Sequence, residues 1–307
     1  KLEMPIPKTK DKEKVMIQST MSKRWLALVW TFFSATILMA QQPAAQAPDA
    51  KPAAQEPAAT PPPPTGHEVS AAEIAKSNNP LAPVTAVTFE NYYAPTLYGA
   101  PGLNANTFDL RGVFIAGRQI IRATVPVQTT PTGPGEYRSG LGDFAIFDAI
   151  RVSKDGAKNE WAVGPLFVAP TATNTALGSG KWQGGAALVG IFPLGRGSLM
   201  GILGTWQTSF AGDQDRRRVE VSTLQPFGTF SIGSGYYIRS SAVMVFDIEK
   251  NKYLIPLGFG FGKAFKVGNH LMNVFIEPQF TVYHKGAGQP SWQLYAGIKH
   301  QWPKKKA

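Results

Sequence analysis

The sequence predicts an all-β chain: a transmembrane antiparallel up-and-down β-barrel of about 12 strands, preceded by a signal peptide and a Pro/Ala-rich linker. Three observations carry the prediction. From about residue 83 onward, apolar and polar residues alternate with period two. The alternating stretches run for 8–14 residues, whereas a globular strand is about 5–6 residues and a tilted membrane-spanning strand about 9–11. Beyond one amino-terminal segment the chain has no long apolar run, and its mean hydropathy is −0.12. That excludes a polytopic helical membrane protein, which needs about 20 apolar residues per span.

Composition narrows the class further. The 307 residues include 31 Gly, 25 Pro and no Cys, and 17% are charged. Without cysteine there are no disulfides, thiolate metal sites or cysteine nucleophiles. The 18 Phe, 9 Tyr and 7 Trp are too many for a disordered chain. The net charge of +11 invites a nucleic-acid reading. However, the basic residues are scattered, with clusters only at Arg216–Arg218 and Lys304–Lys306. We therefore expect no nucleic-acid partner.

In chain order, residues 1–20 read as a start-site extension or cloning remnant. Residues 21–40 are expected to form a signal peptide, with Lys23 and Arg24 before the apolar run Trp25–Met39 and cleavage after Ala40, with Ala45-Gln46-Ala47 as the alternative site. The rival reading, an uncleaved anchor, has only 15 apolar residues, short for a span. Residues 41–66 form a disordered Pro/Ala linker, a spacer that also offers a periplasmic contact. Residues 67–82 form a short periplasmic lead-in, with a helix expected over 68–77. The barrel follows over 83–303 and a basic tail over 304–307.

The expected strands are 83–93, 106–115, 118–127, 140–153, 159–170, 180–193, 198–210, 217–232, 235–247, 252–265, 270–284 and 291–303. Alternation is clearest near the end: Met272, Val274, Ile276, Phe280 and Val282 share one face, and Trp292, Leu294, Ile298 and Trp302 another. It is poor over 159–170 and 180–193. With both termini periplasmic, the long connections 94–105, 128–139, 171–179, 211–216 and 285–290 face outward, and 248–251 is the short exception. The other end has the turns 116–117, 154–158, 194–197, 233–234 and 266–269. Long loops at one end and tight turns at the other are expected of outer-membrane barrels.

A bilayer requires every backbone polar group to be paired, so strands span it only as a closed barrel. The apolar face then meets lipid, through Phe280, Val282, Trp292, Leu294, Ile298 and Trp302. The polar face lines the lumen, with Asp109, Arg111, Arg122, Asp143, Arg151, Arg239, Glu277 and Lys299 pointing inward. Five of these eight are basic, which predicts a mild anion preference.

An ordered set of short motifs adds a family resemblance. Asn79-Pro80-Leu81-Ala82 precedes the first strand, and Gly140-Leu141-Gly142-Asp143 opens the fourth. Val163-Gly164-Pro165, Ala169–Thr173 and Leu177–Trp182 come next. Ala211-Gly212-Asp213, Gln225-Pro226-Phe227, Pro256-Leu257-Gly258, Gly262-Lys263 and Trp292-Gln293-Leu294 complete the series. Over about residues 76–303 the chain resembles a family of bacterial outer-membrane barrels labelled for the meta-pathway of phenol degradation and often described as transporters. The resemblance implies an outer-membrane location, passage of small and in part aromatic molecules, and no catalytic residue. It also implies an assembly signal through Gly297 and Trp302, read by the barrel-assembly machinery. The chain departs from the family in a shorter turn at 115–119 and in the Pro303–lysine tail.

Other chemistries fail on spacing. Gly258–Lys263 lacks the Ser or Thr of a phosphate loop, since Ala264 follows. Its alternate glycines instead clear one strand face and leave space beside the lumen. Asp213 and Asp215 have no further acidic neighbour to complete a Ca²⁺ site. His67, His270, His284 and His300 lack metal-ligand spacing, and neither His270 nor His284 pairs with Ser240 in a hydrolase pattern. The expectation is a non-enzyme with no cofactor, a pore for small solutes. The alternatives are a structural or surface-interaction barrel with a plugged lumen, and a soluble ligand-binding barrel.

Overall fold

The computed structural model describes residues 69–302. The readings for residues 1–20, 21–40, 41–66 and 304–307 lie outside the described residues. Helix α1 spans Ala71–Asn78. The strands are β1 Thr85–Leu97, β2 Ala105–Ala116, β3 Gln119–Gly133, and β4 in two halves, Glu136–Leu141 and Phe144–Arg151. They continue with β5 Glu160–Ala169, β6 Lys181–Gly195, β7 Ser198–Gly212 and β8 Glu220–Gly233. β9 is split into Tyr236–Ser240 and Met244–Asp247, and β10 into Lys252–Gly258 and Gly260–Val267. β11 His270–Lys285 and β12 Pro290–Trp302 complete the series.

Each strand pairs antiparallel with its sequence neighbour, and β12 returns to β1 from Thr85↔Trp302 to Leu97↔Pro290. The result is a closed 12-strand meander without an edge. Three strands expected to be continuous are interrupted, and each break lies opposite a proline of an adjacent strand. The break in β4 faces Pro126, that in β9 faces Pro226, and that in β10 faces Pro278. Proline has no N–H to give the ladder, though its carbonyl still accepts. Gly142 N–H donates to Pro126 O at 2.9 Å, and Phe259 N–H to Pro278 O at 3.2 Å. The β4 break is a bulge, three residues opposing two between the flanking pairs.

At one end the turns are tight. Arg196-Gly197 and Ser234-Gly235 both have two successive positive φ values, the geometry that matches the twist of a two-residue hairpin. The length asymmetry is weaker than the sequence suggested. The expected loop 128–139 is a hairpin in which β3 and β4 pair up to Gly133↔Glu136. Conversely, the tight-turn end carries the eight-residue connection 152–159.

Period two fixes the faces. Phe280, Val282 and Ile298 are exposed on the outside, and Trp292, Leu294 and Trp302 share their row, half-buried by neighbours. Val163, Phe167, Trp182 and Leu188 also face out, which settles the strands with poor alternation. Their inward partners Ala162, Leu166, Val168, Ala187, Val189 and Ile191 are apolar too. The expectation that a polar face lines the lumen is therefore corrected for these strands: the β3–β7 side of the lumen is an apolar wall.

The glycine stripe of β10 is likewise not empty. A Cβ on Gly258 would lie 2.2 Å from Glu277 Oε1, and one on Gly262 would lie 2.1 Å from the Tyr237 ring. Glycine thus makes room for side chains of β11 and β9. Gly262→Ala is expected to cost about 1–3 kcal/mol by overpacking. Tyr237→Leu should relieve it, so the double variant's loss in urea unfolding falls below the sum of the singles.

Candidate functional site

The site is the lumen, and its floor is the segment ahead of β1. Ser70 caps α1: its Oγ accepts from Glu73 N–H at 3.3 Å, while its own N–H donates to Glu73 Oε2 at 3.0 Å. Asn79-Pro80 ends the helix, because the residue before a proline avoids helical geometry. α1 crosses the tight-turn mouth with Ile74 against Tyr237 and Ala264. Leu81, 1% exposed, is seated in the apolar wall beside Ile120, Phe147 and Ala149.

Polar contacts fix this segment. Lys299 Nζ donates to Ser77 O at 2.9 Å, and Gln301 Nε2 to the same oxygen at 3.3 Å. Asn273 Nδ2 reaches Ser77 Oγ at 2.8 Å and Asn78 Oδ1 at 3.0 Å. Arg151 donates to Leu81 O, with Glu160 at 3.7 Å from its Nε. Lys266 Nζ stands 2.8 Å from Glu73 Oε1. Partial burial pushes the Glu73 carboxyl up, but Lys266 and the two Ser70 hydrogen bonds outweigh it and hold the pKa below its ordinary value.

This lowered pKa sets a sign. The Glu73 contribution to helix seating is complete above the ordinary carboxylate pKa and is lost as pH falls through the lowered one. The protection of the Ile74 amide, taken relative to its intrinsic exchange rate at each pH, should accordingly fall in acid, and Glu73→Gln should remove that step. An unchanged acid step in the variant would assign it elsewhere.

Above this floor is a cavity of about 170 Å³. The structure brings Arg111, Arg122, Arg239 and Lys299 to its wall, with Glu90, Phe275 and Tyr295. Arg111 pairs with Glu90 and, at 2.7 Å, with Asp109. Glu277 is fully buried behind Arg239. It accepts from Arg239 Nε at 2.7 Å, Ser241 N–H at 2.8 Å, Ser241 Oγ at 2.7 Å and Gln279 Nε2 at 3.0 Å. The Arg239 guanidinium lies 3.6 Å from the Phe275 ring centre. Arg122 stacks 4.3 Å over Phe147. Ile120, Phe147, Val189, Leu203 and Phe227 form the facing apolar wall.

Two of the eight residues stand apart. Arg151 is at the tight-turn end with Leu81. Asp143 is at the loop end, accepting from Ser179 N–H at 2.7 Å, Ser179 Oγ at 2.8 Å and Ala172 N–H at 3.3 Å, and so pins the 170–180 connection. Sequence reasoning missed Glu90, although β1 alternates around it: Thr88, Glu90 and Tyr92 face in, and Phe89 and Tyr93 face out. Alternation places Tyr295, Asn273 and Gln279 opposite the apolar rows of their strands, but nothing in the sequence singles them out among the inward residues. Among the described residues no group of three His, Cys, Asp or Glu is placed to hold a metal.

No family model matches the chain, and no curated protein matches it in sequence. Among solved structures, the fold is similar to an outer membrane channel from Pseudomonas putida F1, at 12% identity and a TM-score of 0.53. The alignment covers 71% of this chain and 94% of that one. At that identity the likeness is one of fold: this chain has the barrel architecture of an outer membrane channel.

Proposed function

We propose that the chain is an outer-membrane channel for small solutes, closed at its tight-turn mouth by α1 and biased toward anions. The observation that carries it is the outer surface of the closed barrel. Exposed apolar side chains circle it, among them Phe89, Phe114, Leu188, Phe261 and Ile276. Aromatic clusters mark two levels. Phe167, Trp182 and Phe210 stand near the loop end, and Trp161–Phe192, with His300–Trp302, near the other. Trp182 and Phe192 are about 33 Å apart along β6 at about 3.3 Å per residue. A tilt of about 40° projects this to about 25 Å, the height of a lipid-facing band with interfacial aromatic girdles. A water-soluble barrel would gain nothing from such a belt.

On this reading Phe280, Val282, Trp292, Leu294, Ile298 and Trp302 contact lipid. The assembly machinery and outer-membrane lipid are partners, and residues 41–66 provide a periplasmic contact. Within the lumen, Arg111 and Arg239 are neutralised by carboxylates, while Arg122 and Lys299 have no carboxylate partner among the described residues, which favours anions. The seated α1 also favours a second reading, a plugged structural barrel. Planar-bilayer recording separates them. The channel reading expects discrete conductance steps with a reversal potential shifted toward chloride. A silent chain, silent also when residues 69–82 are deleted, would leave the plugged barrel.

A further inference from the structure

We propose that the cavity is a binding site for a small organic acid, its carboxylate on Arg122 and its compact apolar body against Ile120, Phe147, Val189 and Leu203. The inference rests on the channel reading for the ligand's route, while the site itself is argued from the cavity walls.

The wall cations are not equivalent. Both terminal nitrogens of Arg111 are taken by Glu90 and Asp109. Arg239 is held by Glu277, and Lys299 donates to the Ser77 carbonyl. Arg122 forms no ion pair among the described residues, and its buried Nε has no hydrogen-bond partner. A buried N–H without an acceptor is costly, and the half-buried guanidinium opens onto the cavity, so a ligand that supplies an acceptor gains the difference. Arg122 also lies where the two walls meet, one face over Phe147 and its neighbours apolar.

That placement selects the ligand. A small inorganic anion would satisfy Arg122 but would strand its remaining hydration against Phe147, Val189 and Leu203. A hydrocarbon would fill the apolar side and leave Arg122 unpaired. A cation meets the wrong sign. An acid with one ring or a short branched chain satisfies both walls, and the volume agrees: an apolar cavity of about 150 Å³ accepts benzene. Pro80 and Leu81 form the floor, so the ligand would rest on the segment that closes the mouth.

Isothermal titration of the purified chain in detergent, using benzoate, benzamide and acetate, tests this. Benzoate is expected to bind about tenfold or more tightly than either benzamide or acetate, the scale of one charge-assisted hydrogen bond or one buried apolar group. Arg122→Gln should remove the preference for benzoate over benzamide. Leu203→Asn should weaken benzoate and benzamide together and leave acetate unchanged. Heat-modifiable gel mobility checks folding of each variant. If Arg122→Gln does not fold, Leu203→Asn decides. Benzoate binding no tighter than acetate, or binding indifferent to the folded variants, overturns the site. Conductance is read separately: a chain that conducts without binding benzoate loses only this proposal, and one that binds benzoate without conducting loses only the channel.

Discussion

Replacing Glu277 with Leu is expected to destabilise the barrel by about 3–5 kcal/mol, the cost of leaving a buried charge without its partner. Glu277 is fully buried and accepts four hydrogen bonds, one of them from Arg239. Leucine would leave Arg239 without its carboxylate, keeping only the Ser241 Oγ acceptor at 2.6 Å, and the Ser241 N–H without an acceptor. It would also press a branched side chain toward Gly258 and Gly260, where even a Cβ would have no room. Glu277→Gln keeps the shape and two of the acceptor contacts, so it should lose less. Guanidinium unfolding followed by tryptophan fluorescence measures both. Equal losses in the two variants would mean that the lost charge alone, not side-chain shape or the remaining acceptor contacts, sets the cost.

The second large effect concerns the mouth. Leu81→Asp should unseat the segment ahead of β1, because it places a carboxylate among Ile120, Phe147 and Ala149. An uncompensated carboxylate there outweighs hydrogen bonds worth about 0.5–1.5 kcal/mol each, or about 1.5–3 where a charged donor is involved. The open-to-closed ratio in planar bilayers should rise by about tenfold or more, since each 1.4 kcal/mol is a factor of ten. Leu81→Met, which conserves volume, should leave it unchanged. If Leu81→Asp conducts as the unaltered chain does, the segment does not gate the pore.

Much of the barrel was legible because period two is a local property. Met272–Val282 and Trp292–Trp302 each declare an outward row, and the strand order of a meander then follows from sequence order. The strands over 159–170 and 180–193 were harder to read for a physical reason. Ala162, Leu166, Val189 and Ile191 face an apolar wall while Val163, Phe167 and Leu188 face outward, so both faces are apolar and alternation disappears. The breaks were readable in principle from Pro126, Pro226 and Pro278, but only once the pairing showed which strand faces each proline.

Period-two alternation is enough to specify an all-β chain with long two-faced strands and the inward side of most of them. What the interior contains follows from ring closure. Closing the ring brings β1, β2, β9, β11 and β12 together, so that Glu90 meets Arg111 across one strand pair and Glu277 meets Arg239 over 38 positions of sequence. It also folds residues 69–84 back across the mouth, where Lys299 holds Ser77 from 222 positions away. The alternation of a strand reports only the direction in which a side chain points. Whether an inward arginine is neutralised or left free depends on strands far off in the chain, and that distinction separates Arg111 and Arg239 from Arg122.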